Sequence, residues 1–175
     1  IIVFNGEIYN FKELRDQLAL SYDFRTKGDT EIILAAYKKW GSDCVKKFNG
    51  IFALVIWDRN KKELFLARDH LGVKPLYYYH NNGKFVFSSE IKGILAHNLS
   101  KKIDEEAVNL YFRLLYVPEP KTLIENIYKL PPAHYAVLKN EKLSLFCYWK
   151  VEAFDTIRDK NEAKAEIFGR VQKRL

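Results

Sequence analysis

The sequence predicts an α+β fold built in layers, and three observations carry that reading. Apolar residues recur at helical spacing up to Trp40. From Ile51 to Ser88 the pattern changes to short runs rich in β-branched and aromatic residues, separated by turn-forming residues. Within that stretch Phe52-Ala53-Leu54-Val55-Ile56-Trp57 is apolar without alternation, so both faces of this strand must be covered. At 175 residues the chain is long enough for one domain with its own core and a terminal appendage.

Ile1 to Phe4 reads as a buried strand. Asn10-Phe11-Lys12-Glu13 places a capping residue three positions before a Glu, with Tyr9 and Leu14 as a hydrophobic staple, so a helix is expected from Phe11 with Leu14 and Leu18 on its buried face. Ser21 to Thr26 is a connection or short strand. A second helix starts near Thr30, capped by Asp29 or Thr30, buries Ile32, Ile33, Ala36, Tyr37 and Trp40, and stops at Gly41. Ile51–Asp58, Glu63–Asp69, Pro75–His80 and Lys84–Ser88 form an antiparallel meander. Ser89 caps a short helix to Leu95, and Asp104 caps a longer one to about Leu115. The Pro-containing stretch from Val117 to Pro132 leads to a hairpin of His134–Lys139 and Leu143–Trp149, turning at Asn140 to Lys142. Residues 151–175 are charged, with a sparse stripe at Ala163, Ile167, Val171 and Leu175. They read as a linker and a helix that needs an outside partner.

Composition narrows the function classes. No apolar run approaches the roughly 20 residues that span a membrane. The net charge of +7 comes from 29 Lys and Arg against 22 Asp and Glu that are interleaved along the chain, which suits a solvated surface better than a nucleic-acid footprint. Cys44 and Cys147 are too few for a disulfide scaffold, and with His70, His80, His97 and His134 they form no metal-type spacing, so a reducing compartment and no metal are expected. Both cysteines are expected to be buried packing residues with raised pKa values. The chain contains no Met and opens on an apolar run, from which we expect a piece of a longer protein whose first strand edge pairs with upstream residues.

Three places could carry chemistry. Asn5-Gly6 is either a tight hairpin turn or an amide and a backbone N–H that point together at one spot at a strand end, as an oxyanion hole requires. Asp29 is either a helix cap or, if Thr30 takes that role, a carboxylate free to hold an ammonium group. Arg68-Asp69 reads as an ion pair ending a strand before the turn at Gly72, and Ser88-Ser89-Glu90 as strand end and helix cap.

Taken in order, FNGEIYN at 4–10, GDTE at 28–31, FNGIFA at 48–53, IWD at 56–58, LFLARDHLGVKPLYY at 64–78, FSSEIK at 87–92 and YVPEPKTLIENIYKLPPAH at 116–134 resemble the glutamine-dependent asparagine synthetases. The resemblance covers essentially the whole chain. It implies that residues 1–150 are a glutaminase domain lacking its first strands, with the N-terminal-nucleophile fold: a four-layer αββα sandwich of two mainly antiparallel sheets. It implies that residues 151–175 lead into an ATP-dependent synthetase domain.

In that family an N-terminal Cys attacks the glutamine carboxamide with its own α-amine as base, and no matching Cys occurs in this chain. The resemblance assigns oxyanion contacts to Asn5 and Gly6, glutamine contacts to these and Glu7, and recognition of the α-amino group to Asp29. No cofactor is implied for these residues. ATP and Mg²⁺ belong to the synthetase domain, where aspartate is activated and receives the ammonia. The expected partners are glutamine and the chain's own synthetase domain, with a homodimer as one assembly, in the cytoplasm, and with neither nucleic acid nor membrane. Two other readings stand beside this one: the same chemistry on a different carboxylate acceptor, and a degenerate domain retained as a scaffold.

Overall fold

Strand β1 (Ile2–Ile8) pairs antiparallel with β2 (Gly50–Asp58) in the computed structural model of the protein, which describes residues 1–151. Strand β3 (Glu63–Arg68) pairs with β2 on its other side, then β7 (His134–Lys139) and β8 (Lys142–Cys147) complete a five-stranded sheet in the order β1-β2-β3-β7-β8. A second, three-stranded sheet has the order β5-β4-β6, from β4 (Tyr77–Asn81), β5 (Lys84–Ser88) and β6 (Ile127–Lys129). The expected meander is therefore divided: its first two strands lie in one sheet and its last two in the other.

Three cores stack between the layers. Helices α1 (Phe11–Leu18) and α2 (Asp29–Trp40) cover one face of the large sheet, where Leu14, Leu18, Ile32, Ile33 and Ala36 pack on Phe52, Leu54, Ile56 and Phe65. The other face buries Ala53, Val55, Leu66 and Ala136 against Leu76, Tyr78 and Leu130 of the small sheet. The far face of the small sheet packs Tyr79 and Ile127 on Ile94 of α3 (Ile91–Leu95). Helix, sheet, sheet, helix is the expected four-layer order, and β2 has both faces covered because alternate residues face different cores.

Several boundaries differ from the sequence reading for local reasons. Strand β1 does not end at Phe4 but runs on through Asn5-Gly6 to Ile8. Asn10 does not cap α1 with its side chain: its Nδ2 donates to the Lys47 carbonyl and its Oδ1 accepts from Asn49 N–H, both at 2.9 Å. Residues 22–26 form no strand, because the Glu31 carboxylate takes the N–H groups of Arg25 and Thr26 instead.

Gly28, not Asp29 or Thr30, stands at the start of α2, which has no side-chain cap. Gly41 ends α2 as expected, donating its N–H to the Tyr37 carbonyl. Ser88, not Ser89, accepts the Glu90 N–H ahead of α3. Asp104 caps α4 (Glu105–Leu114) as expected, accepting from Ala107 N–H at 2.9 Å. Asn140 and Glu141 both have positive φ, the backbone of a two-residue hairpin turn, between β7 and β8. The helix expected from the stripe at Ala163, Ile167, Val171 and Leu175 lies outside the described residues.

Candidate functional site

The alternation of β1 separates its residues by face. Ile2, Phe4, Gly6 and Ile8 stand opposite Ile56, Leu54, Phe52 and Gly50, toward the helices. Val3, Asn5 and Glu7 stand opposite Val55, Ala53 and Ile51, toward the small sheet. The small sheet covers β2, β3 and β7 but stops short of β1, so Val3, Asn5 and Glu7 are all exposed on this face. A cavity of about 250 Å³ lies there, walled by Asn5, Ala53 and Val55 on one side and by Leu76, Phe87 and Ser88 on the other. A larger hollow of about 530 Å³ lies beyond Ile51, lined by Tyr9, His70, Leu71 and Trp149.

The ladder also fixes which way each N–H of β1 points. In an antiparallel pair, residues alternate between those bonded to the partner strand and those whose N–H and C=O point away. Trp57 N–H donates to the Ile1 carbonyl at 2.9 Å, and Tyr9 N–H to the Asn49 carbonyl at 2.7 Å, so odd-numbered positions of β1 are the bonded ones. Phe52 confirms the parity: its C=O accepts from Asp69 N–H at 2.8 Å and its N–H donates to the Asp69 carboxylate at 3.1 Å, so neither group turns to β1. The Gly6 N–H therefore points outward at the edge of the sheet.

Gly6 itself has φ +141°, in the region that favours glycine, and an added Cβ would strike the Ile51 carbonyl. A side chain here would push β1 off β2. The site thus has a backbone donor at position 6 and a carboxamide at position 5, adjacent on an edge strand. They form neither a hairpin turn nor a strand end, the two alternatives the dipeptide offered.

Asp29 reaches the same edge. Its Oδ2 accepts the outward-pointing N–H of Ile8 at 3.2 Å, which ties the first turn of α2 to β1. Gly6 and Ile8 are two residues apart, so the free N–H and the carboxylate stand roughly 7 Å apart along the strand. One end of this edge suits a carboxamide oxygen, and the other an ammonium group. The structure thus brings all four expected residues to one strand edge: Asn5, Gly6 and Glu7 in sequence, and Asp29 beside them.

Neither cysteine belongs to this edge. Cys44 is buried in the 3₁₀ turn Gly41–Lys47, and burial pushes its thiol up to about 12, as expected of a packing residue. Cys147 corrects the expectation: it is exposed, because β8 forms the opposite edge of the sheet, and its Sγ donates to the Trp149 carbonyl.

The Arg68-Asp69 expectation is also corrected. Arg68 pairs with Glu119 at 3.1 Å and donates to the carbonyls of Gly72, Lys74 and Leu130, while Asp69 accepts from the N–H groups of Phe52, Leu71, Val73 and Lys74. The two side chains serve opposite sets of backbone groups. The sequence signal for Asp69 was present, since Asp followed three residues later by Gly is the pattern of a side chain that organises a turn.

Residues 1–149 match the family profile described as glutamine amidotransferase domain. The chain belongs to that family. It is 40% identical over 155 residues to asparagine synthetase [glutamine-hydrolyzing] 3 of Bacillus subtilis (strain 168), covering 87% of this chain and 25% of that protein. It is 35% identical over 174 residues to amidase chyE of Penicillium rubens, covering 99% of this chain and 25% of that protein. The amidotransferase domain thus spans about a quarter to a third of the length of the curated relatives it matches. Its fold matches that of glutamine phosphoribosylpyrophosphate amidotransferase from B. subtilis, with TM-score 0.59 at 18% identity over 85% of this chain and 29% of that one. The four-layer sandwich is accordingly that of an amidotransferase.

Proposed function

We propose that this domain is the glutaminase part of a glutamine-hydrolysing asparagine synthetase. The observation that carries the reading is the outward-pointing N–H of Gly6 beside the Asn5 carboxamide, with the Asp29 carboxylate on the same edge. In the reaction a thiolate attacks the glutamine carboxamide carbon, and the carbonyl electron pair moves onto oxygen. The Gly6 N–H and the Asn5 Nδ2 donate to that oxyanion, which is charge present only in the tetrahedral adduct and so lowers the barrier rather than merely binding substrate. Collapse expels ammonia, with its proton supplied by the base that took the thiol proton. The remaining γ-glutamyl thioester is hydrolysed to glutamate. Asp29 holds the substrate's α-ammonium, and Glu7, exposed on the cavity face, contributes a further contact to glutamine.

The attacking thiol is supplied by a Cys outside residues 1–175, since Cys44 is buried and Cys147 lies at the far edge of the sheet. In the whole protein a synthetase domain uses ATP and Mg²⁺ to activate aspartate, and ammonia passes to it within the molecule, in the cytoplasm, in a monomer or homodimer. The residues for ATP and Mg²⁺ belong to that domain. Among the described residues no three His, Cys, Asp or Glu side chains are grouped to hold a metal.

The test is Asn5→Ala in the full-length protein. Glutamine-dependent asparagine formation falls about 10²- to 10³-fold, the range for loss of one oxyanion donor, while ammonia-dependent formation is retained. Equal loss of both activities would overturn the site. A different carboxylate acceptor is the second reading, and it stands beside the first because the domain is also 35% identical to a fungal protein named an amidase and not an asparagine synthetase. It predicts ammonia-dependent ATP cleavage that aspartate does not support.

A further inference from the structure

We propose that the exposed end of helix α4, from Phe112 to Tyr116, is the surface on which the synthetase portion of the same polypeptide docks. The inference rests on the glutaminase reading above, since that reading supplies the occupant. Of the ten residues of α4 only Ala107 is buried among the described residues. The end of the helix turns apolar side chains outward instead: Phe112 is 74% and Leu115 81% exposed, with Tyr111 and Tyr116 exposed beside them. A cluster of large apolar side chains in water marks a surface that another body covers.

The backbone at Leu115 points the same way. It ends α4 at φ +60° and ψ 16°, with its N–H donated to the Tyr111 carbonyl at 2.7 Å. Glycine is the residue ordinarily found in this left-handed conformation, because a β-carbon is disfavoured there. The leucine side chain lies almost wholly in solvent, so packing within residues 1–151 does little to offset that cost. A contact beyond these residues offsets it.

The chain leaves the domain beside this surface. Arg68 joins the two places: its Nη1 contacts Glu119, three residues past Tyr116, and its Nη2 donates to the Gly72 carbonyl, between the exposed Leu71 and Val73. His70, next to Leu71, packs against Trp149, from which the backbone runs out through the exposed Val151. The domain covers 35% and 25% of two of its asparagine synthetase relatives, so most of each of those polypeptides lies outside it. A portion tethered at Val151 meets the end of α4 at an effective concentration on the order of millimolar, which favours it over a second copy arriving from solution.

The test is made in the full-length protein, with Phe112 replaced by the photoreactive p-benzoylphenylalanine and the cross-linked peptides located by mass spectrometry. We expect an intramolecular cross-link to a residue beyond 175, in a yield independent of protein concentration. A cross-link between two chains would identify a second copy as the occupant, one that ends within residues 1–175 would place the domain's own chain there, and none at all would leave the surface bare. Each of these three results overturns the proposal.

Leu115→Gly is the second arm. Glycine suits the left-handed position, so the fold is kept while one central side chain of the interface is lost. Nitration of Tyr116 by tetranitromethane requires the undocked surface, and its rate in full-length Leu115→Gly should rise about 10-fold over the unaltered protein. An unchanged rate would show that these side chains hold nothing, and overturns the proposal as well. Failure of the glutaminase reading is recognised separately: Asn5→Ala then keeps its glutamine-dependent activity, whatever is cross-linked to position 112.

Discussion

At the scale of single residues, the site is a matter of which polar groups are already engaged. Asn10 and Asp69 each satisfy backbone groups of a neighbouring segment, so their chemistry is spent on geometry. Asn5 and Glu7 are exposed on the cavity face. His70 shows how burial sets a protonation state. Its ring packs edge-on against Tyr148 and Trp149, with centroids 5.2 Å from each, and burial lowers its pKa, opposed by the neighbouring Asp69 charge.

A histidine whose folded pKa lies below its unfolded value of about 6.5 binds fewer protons folded than unfolded. Stability therefore rises with pH through that window and is lost as pH falls below the unfolded pKa. We expect the thermal midpoint of the wild type to fall from pH 7 to pH 5 more steeply than that of His70→Gln, and identical slopes would refute this assignment. From the sequence, the residue types at the site were legible and their partners were not. Asp29 was read as a possible cap because residue type and helix start are local facts. Its bond to Ile8 depends on how α2 docks against β1, which is tertiary.

The element that decides the site is β1, and it is also where the sequence reading was least accurate. Asn-Gly between apolar residues is a local turn signal, but here the ladder with β2 overrides it, since Asn5 and Gly6 pair with Ala53 and Phe52 in mid-strand. The two strands approach closely at both glycines. A Cβ on Gly50 would strike the Glu7 carbonyl and meet the Ile8 Cα at 3.0 Å, neither of which can yield without moving β1. Gly50→Ala should therefore destabilise the protein by about 1–3 kcal/mol, the usual cost of overpacking. Gly28→Ala, with nothing within 4 Å of the added methyl, should stay within about 1 kcal/mol. Urea unfolding of the two variants measures both, and equal midpoints would refute the close approach. Elements whose sequence signals agreed with their packing, such as α2, β3 and the β7–β8 hairpin, were legible nearly to the residue. The short β6 was not, because three residues among prolines and turns carry no periodicity.

For the whole molecule, what matters is that two sheets keep a fixed separation, since the cavity at Asn5 is walled by both. Apolar packing of Leu66, Ala136, Tyr78 and Leu130 supplies most of the cohesion, and this was legible as patterning without showing which strand joined which sheet. Arg68 adds a polar tie between them. At the end of β3, 4% exposed, it donates to the Leu130 carbonyl at 2.7 Å, just past β6, and to the carbonyls of Gly72 and Lys74 on the turn that leads to β4. Glu119, which also pairs with Lys129 of β6, balances its charge at 3.1 Å.

Arg68→Met keeps much of the side chain's bulk but orphans three carbonyls and one carboxylate contact. Breaking one side of a buried pair costs about 3–5 kcal/mol, and the orphaned carbonyls push the loss toward the upper end. Substituting Glu119 by Gln leaves the guanidinium its three carbonyl acceptors and should cost less. Chemical denaturation of both variants checks the order. If Glu119→Gln proves as damaging as Arg68→Met, the charge pair rather than the carbonyl contacts sets the spacing of the sheets at this point, and the cavity beside Asn5 depends on electrostatics more than on backbone satisfaction.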